Sequence, residues 1–295
     1  MNKTQKVVTS LTVILIAIVL SLSLIAVNVE DGGSSFVVNS IRGQLVEIYG
    51  GTGMYHFDTV EKAIMMRSYD WYYLLVGIPI LIIGLILYLR RSTIGYFILI
   101  SSLFFLIYSF LISSIAISYN PFFLAYMAVY VISTYAVIYM IKDVSFEHFR
   151  QAIIPKLPIN TIAIFVMFLA SYFIVSWLVI DFTTLLSGGI HPDLAIYTTA
   201  DMNVTDLSIY ATVSISGAVL LLKRKALGAI ISIGMIGMAF QTLTALSIFT
   251  FLKVDFHHES ISNIDFPLVI FAVVCMIFSV IAVRRLRGIH YQFKD

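Results

Sequence analysis

Three groups of side chains in this sequence have the chemistry to bind or transform a ligand. Histidine stands beside acid in "FHHES" (His257, His258, Glu259), in "GGIHPD" (His191, Asp193) and in the stretch holding His56 and Asp58. Imidazole and carboxylate are ligand types that zinc accepts. No HExxH pair is present, and adjacent histidines point in different directions. The expected reading is a solvated acidic surface, with His191, His257 and His258 as the alternative metal ligands. The second group comprises Asp70, Asn120, Asp206 and Asp265, each just before an apolar run. Such residues accept hydrogen bonds from the free N–H groups of a first helical turn, and a carboxylate there complements the helix dipole. Capping accounts for all four, and the competing reading makes Asp70 and Asp206 paired functional acids. The third group is Tyr126, Tyr130, Tyr135 and Tyr139 in one apolar run. It reads as a hydroxyl-lined cavity or as packing and interfacial residues.

The segment "YGGTGMYHFDTVEKA" (49–63) invites a fourth reading, a phosphate cradle. A phosphate loop needs a Lys-Ser/Thr pair and a strand-to-helix setting, and neither is present. The spacing instead places Asp58 as a helix cap with Glu61 reaching back, ahead of a short interfacial helix from Thr59 toward Ser68. The preceding glycines permit a tight turn because Gly accepts positive φ.

The elements that position these residues follow from composition. Of 295 residues, 60% are hydrophobic and 12% charged, about half the charge of a soluble domain, with mean hydropathy +0.99. Eight runs are apolar enough to cross roughly 30 Å of hydrocarbon: 7–28, 71–89, 94–117, 121–141, 159–180, 207–222, 226–252 and 266–283. This predicts an all-α, polytopic transmembrane helical bundle, one integral membrane domain over 1–295 with an ordered outer loop at 29–70. On these boundaries one face receives 14 of the 18 Lys and Arg with only 3 acids, a net +11. The other has 4 basic and 13 acidic residues, a net −9. By the positive-inside rule the first face is cytoplasmic, as are both termini, and its clusters "KRK" (223–225) and "RRLRG" (284–288) meet anionic lipid head groups. The first run is longer than a secretory h-region and lacks a small-x-small cleavage site, so it reads as an uncleaved signal anchor. Cys275 has no partner for an intrachain disulfide.

Residues 84–100 align without gaps on 217–233, matching Gly84, Arg91 and Gly95 to Gly217, Arg224 and Gly228. A duplication of four spans, 1–145 and 146–295, gives a parallel 4+4 repeat. The alternative is that tight hairpins independently select small and basic residues. Gly234, Gly237 and Gln241 read as a close helix–helix contact. Asn203-Val204-Thr205 is a glycosylation sequon, meaningful only in a eukaryotic secretory system.

The stretch "RGQLVEIYGGTGMYHFDTVEKA…RSYD" and the later "SYNPFFLAYMAVY" resemble a family of uncharacterised prokaryotic multi-pass membrane proteins with an RGQ-V-x-YG-x-G-x-Y outer loop. The resemblance covers most of 42–140 and, more weakly, "TDLSIY…LLLKRKALG"; this chain has one additional glycine in the loop. It implies a helical membrane fold in a prokaryotic plasma membrane, and it brings no activity and no catalytic residue. The leading expectation is a permease-like protein for a small neutral or lipophilic solute, since the spans as drawn hold almost no ionisable groups. The alternatives are a non-transporting sensor or assembly partner with an outer binding face, and a membrane enzyme with an outer acidic or histidine site, for which no nucleophile–base or metal motif speaks. A ligand site on the outer face would draw on Tyr55, Asp58, Asp70, Asn120, Tyr126 and Asp206. No cofactor and no nucleic-acid partner are expected, and the lipid bilayer is the one partner the composition names.

Overall fold

A computed structural model describes residues 2–29 and 34–293. Glu30, Asp31, Lys294 and Asp295, counted above in the charge partition, lie outside the described residues. Among the described residues, eight helices are long and apolar enough to cross a membrane: α1 (Lys3–Asn28), α2 (Val60–Leu89), α3 (Thr93–Ile115), α4 (Phe123–Asp143), α5 (Ile159–Ser187), α6 (Asp201–Leu222), α7 (Ala226–Phe256) and α8 (Phe266–Leu286). The protein is therefore a multi-pass membrane protein by length and apolar composition.

The bundle is organised around α7, which packs against α3, α6, α8 and the first half of α2. α1 lies on α2 and α4, and α5 lies on α6. Glycine sets the approach of α7 to α3. A Cβ on Gly234 would stand 2.6 Å from the Phe104 ring, and one on Gly237 would stand 2.4 Å from the Ser101 hydroxyl. Gln241 Oε1 accepts from the Tyr72 hydroxyl (3.1 Å), and its Nε2 donates to the Gly237 carbonyl (3.2 Å). The close contact expected of these residues is present.

Two hairpins share their geometry at an offset of 133 residues. Arg91 and Arg224 both turn with positive φ (58° and 55°), and the turns make matching backbone bonds, Ser92 N–H to Leu87 O and Lys225 N–H to Leu220 O, each 3.0 Å. Gly95 abuts Leu87 and Tyr88, and Gly228 abuts Leu220 and Leu221, the same positions shifted by that offset. Each hairpin also follows a π-helical turn, Tyr73–Gly77 in α2 and Asp206–Ala211 in α6.

At one end of the bundle the segment after α8 laces the turns together. Thr93 N–H donates to Ile289 O, Tyr291 N–H to Arg91 O and Ser145 N–H to Gln292 O. Tyr291 is fully buried and its hydroxyl donates to Tyr88 O (3.0 Å), where Gln5 of α1 also reaches. The basic turns gather at this end.

The opposite end differs from the all-α expectation. Strands β1 (Phe36–Asn39) and β2 (Leu45–Ile48) form an antiparallel hairpin around Gly43 (φ 79°). The chain then turns back through Gly50 and Gly51, both at positive φ as the tight turn requires, and Tyr49 N–H donates to Asp58 O. The helix that follows is not a separate interfacial piece, because Val60 to Leu89 run on through the π turn. At about 1.5 Å per residue this helix is roughly 45 Å long.

Candidate functional site

The cap assignments change once the helix starts are fixed. Thr59, not Asp58, caps α2, its hydroxyl accepting from Lys62 N–H (3.3 Å). Asp70 therefore lies ten residues inside α2, where it is buried and its carboxylate accepts from the Tyr55 (2.7 Å) and Ser23 (3.1 Å) hydroxyls. Asp206 lies five residues inside α6, held by the Tyr108 hydroxyl (2.6 Å) and the Trp177 indole N–H (2.8 Å). Neither caps a helix. Hydropathy alone misled here, because a polar residue at the edge of an apolar run is also what a polar-lined interior turn looks like. Asn120 comes nearer the expectation, its Oδ1 accepting from Phe122 N–H just ahead of α4. Asp265 occupies the residue before α8 without a side-chain cap bond.

Five of the six residues expected at a site meet beneath the first loop. Tyr55 donates to Asp70. Asn120 Nδ2 donates to Met54 O (3.3 Å) and to the Tyr126 hydroxyl (3.4 Å), pinning the loop to α4. Asp58, with no exposed surface, accepts both Ser118 N–H (2.7 Å) and the Tyr197 hydroxyl (2.9 Å) on Oδ1, while its buried Oδ2 has no partner among the described residues. Burial pushes the Asp58 carboxyl above its ordinary pKa, and the Ser118 and Tyr197 bonds and nearby Lys62 oppose the shift. Burial and then the Asp70 charge likewise raise the Tyr55 phenol. Asp206 stands apart from this cluster. Tyr135 points outward on α4 and Tyr126 is buried, so the tyrosine series is divided between packing and surface.

Beside this cluster the segments at the β-hairpin end of the bundle converge on a cavity of about 500 Å³. Its walls come from β2, the start of α2, the end of α5, residues 192–202 and the end of α7. A buried ion pair stands in one wall: Lys62 Nζ meets Asp201 at 3.0 Å and sits 5.0 Å from the centre of the Tyr197 ring. A more exposed pair, Lys253 with Glu61 at 3.0 Å, marks the rim. Trp177, Met65, Met202 and Phe249 supply the apolar and aromatic surface. Asp193 also lines the space; its Oδ2 has no partner among the described residues, and burial raises its carboxyl pKa against the pull of His191 and Lys62.

None of the six expected residues lines this cavity, although Tyr197 and Trp177 connect it directly to Asp58 and Asp206. Lys62 and Tyr197 went unassigned in the sequence because their partners Asp201 and Asp58 are 139 residues away, and Trp177 because the start of the helix that holds its partner Asp206 was misplaced. Among the described residues no cluster of three His, Cys, Asp or Glu side chains could hold a metal ion. His257 lines the cavity, His191 is buried with Nδ1 accepting from Asp193 N–H, and His258 occupies a positive-φ turn. The solvated-surface expectation therefore fails for His191. The sequon is also enclosed, since Asn203 is buried and donates to Asp181 (2.7 Å).

The chain matches no protein-family model, no curated protein and no solved structure.

Proposed function

We propose that this membrane protein binds a small, mainly apolar molecule bearing a hydrogen-bond donor in the cavity between its outer loops, and that it is a ligand sensor. A volume of about 500 Å³ lies in the ordinary range for small-molecule sites. The apolar lining suits the body of such a molecule, and the unpartnered Asp193 Oδ2 suits its donor. The observation that carries the reading is the wiring of the walls. Trp177 holds Asp206, and Tyr197 holds Asp58, so a ligand that shifts either aromatic ring also breaks a bond to a buried carboxylate. On this ground we rank the outer-face sensor ahead of the permease. The contact of α1, α2, α3 and α7 favours that order: the space bounded by Val19, Tyr73, Phe105 and Gln241 is about 10 Å³, no more than one water occupies.

The experiment is a titration of Trp71→Phe protein, which leaves Trp177 as the single tryptophan, with a series of small lipophilic alcohols and amines. A saturable change in emission is expected, weakened by Met202→Phe and by Asp193→Ala. A response that persists unchanged in both variants removes the cavity from consideration.

The paired hairpins favour a second reading. If their shared geometry reflects a four-plus-four duplication, the chain has the repeat architecture of some solute permeases. Flux of a neutral solute into proteoliposomes, lost when Gly228 is enlarged, would support it. In either reading the acidic end faces outward, both termini are cytoplasmic, and the membrane is a prokaryotic plasma membrane. Maleimide labelling of single cysteines at Ser92 and Ser260 in intact cells tests this orientation.

A further inference from the structure

The half of the bundle nearest the basic turns contains a second space, of about 330 Å³, unrelated to the outer cavity. Its two walls are α2 (Ile80, Ile83) and α8 (Ser279, Val280), and its floor is the α3–α7 contact at Gly237. The lining is almost wholly apolar. Ile83 and Val280, on opposite rims, are 51% and 57% exposed, so the crevice opens sideways toward hydrocarbon. On α7 it runs from Ile233 to Gln241, roughly 12 Å along the axis at 1.5 Å per residue. In water such a slot would be a liability, whereas in a bilayer a flexible chain fills it.

Charge at the mouth selects among such chains. Arg90 follows Ile83 by seven residues and Arg284 follows Val280 by four, spacings that put each arginine on the same helical face as the lining residue above it. Both are exposed, and neither forms an ion pair with any described carboxylate. They stand about one to two turns beyond the crevice, at the end where the turn 90–92 and the segment after α8 meet. A lipid chain in the slot would bring its phosphate between them.

From this placement we infer that the crevice between α2 and α8 is a binding site for one acyl chain of an anionic phospholipid, with Arg90 and Arg284 holding the headgroup phosphate. The site is fixed by shape and charge together: the slot retains a chain, and the arginines reject a zwitterionic head in favour of a net negative one. A basic side chain at the membrane surface is worth about a fivefold preference for anionic lipid, so two give roughly thirtyfold.

The test is native mass spectrometry of protein released from nanodiscs of equimolar phosphatidylglycerol and phosphatidylcholine. The wild type should retain one phosphatidylglycerol with roughly thirtyfold preference. Ser279→Trp should lose the retained lipid by filling the slot; the Ser279 hydroxyl bonds only within its own helix, to Cys275 O (2.8 Å). Arg90→Gln with Arg284→Gln should keep a lipid and lose the preference. Equal retention of the two lipids by the wild type overturns the inference, as does an unchanged preference in the double arginine variant. That surface variant also decides the matter if Ser279→Trp fails to fold.

Discussion

Replacing Asp58 separates two ways in which a buried carboxyl can hold the loops at the β-hairpin end together. Its Oδ1 accepts from Ser118 N–H and the Tyr197 hydroxyl, tying the first loop to the α3–α4 connection and to residues 192–202. Its Oδ2 meets nothing among the described residues. A neutral side chain with one acceptor oxygen would make the same bonds without burying charge. Asp58→Asn should thus change stability by less than about 1 kcal/mol at neutral pH, because its amide oxygen preserves both bonds. Asp58→Ala strands two part-buried donors and should cost about 1–3 kcal/mol. The pH dependence follows from the raised pKa. A carboxyl whose folded pKa exceeds its unfolded value binds a proton more readily in the folded state. Its contribution is complete below the unfolded pKa, about 3.9, and is lost as pH rises through the folded value. Wild-type loops should therefore close more firmly as pH falls from the folded value toward that limit, and Asp58→Asn should remove the part of the trend that Asp58 supplies, leaving that of Asp193. Thermal unfolding and hydrogen exchange at the Ser118 amide, across that pH range, provide the readout. If Asp58→Asn is as damaging as Asp58→Ala, the ionised charge and its attraction to Lys62 hold the loops, and the reasoning is wrong.

Three other perturbations probe the walls, a helix contact and a helix end. Lys62→Met leaves Asp201 buried without its partner and should cost about 3–5 kcal/mol in thermal stability, while Lys62→Met with Asp201→Leu should recover most of the loss. Gly228→Ala sets a Cβ about 2.2 Å from the Leu221 backbone nitrogen, and detergent-solubilised protein should lose about 3 kcal/mol or more. Gly188→Ala, at φ 64° with open space around it, should cost only about 1 kcal/mol in the same assay.

The span count was legible because hydropathy acts on whole segments, and twenty apolar residues in a row have few other fates. The starts of α2 and α6 were not, since residues 60–70 mix buried apolar groups with polar ones whose partners lie in other segments, Lys62 with Asp201, Glu61 with Lys253 and Asp70 with Tyr55 and Ser23. Asp70 then looks like the edge of a helix when it is the middle of one. The β1–β2 hairpin left a readable signal, β-branched and apolar runs on either side of Gly43, which the overall helical pattern obscured. The site at the β-hairpin end was half legible. Tyr55, Asp58 and Asn120 were identifiable as polar groups near one loop, but Lys62–Asp201 and Tyr197–Asp58 join residues 139 positions apart. No local spacing encodes such pairs.

The lacing of the basic end has a bearing on how the chain comes to be assembled. Residues 289–293 leave the ribosome only after all eight helices, yet they supply partners to a turn made some two hundred residues earlier. Until they arrive, the Thr93 amide and the Arg91 carbonyl have water or nothing to bond, and the slot that Tyr291 fills beside Tyr88 is open. The first hairpin can insert early, but it cannot be finished early. A chain cut before residue 289 would therefore lack the bonds that close the first hairpin.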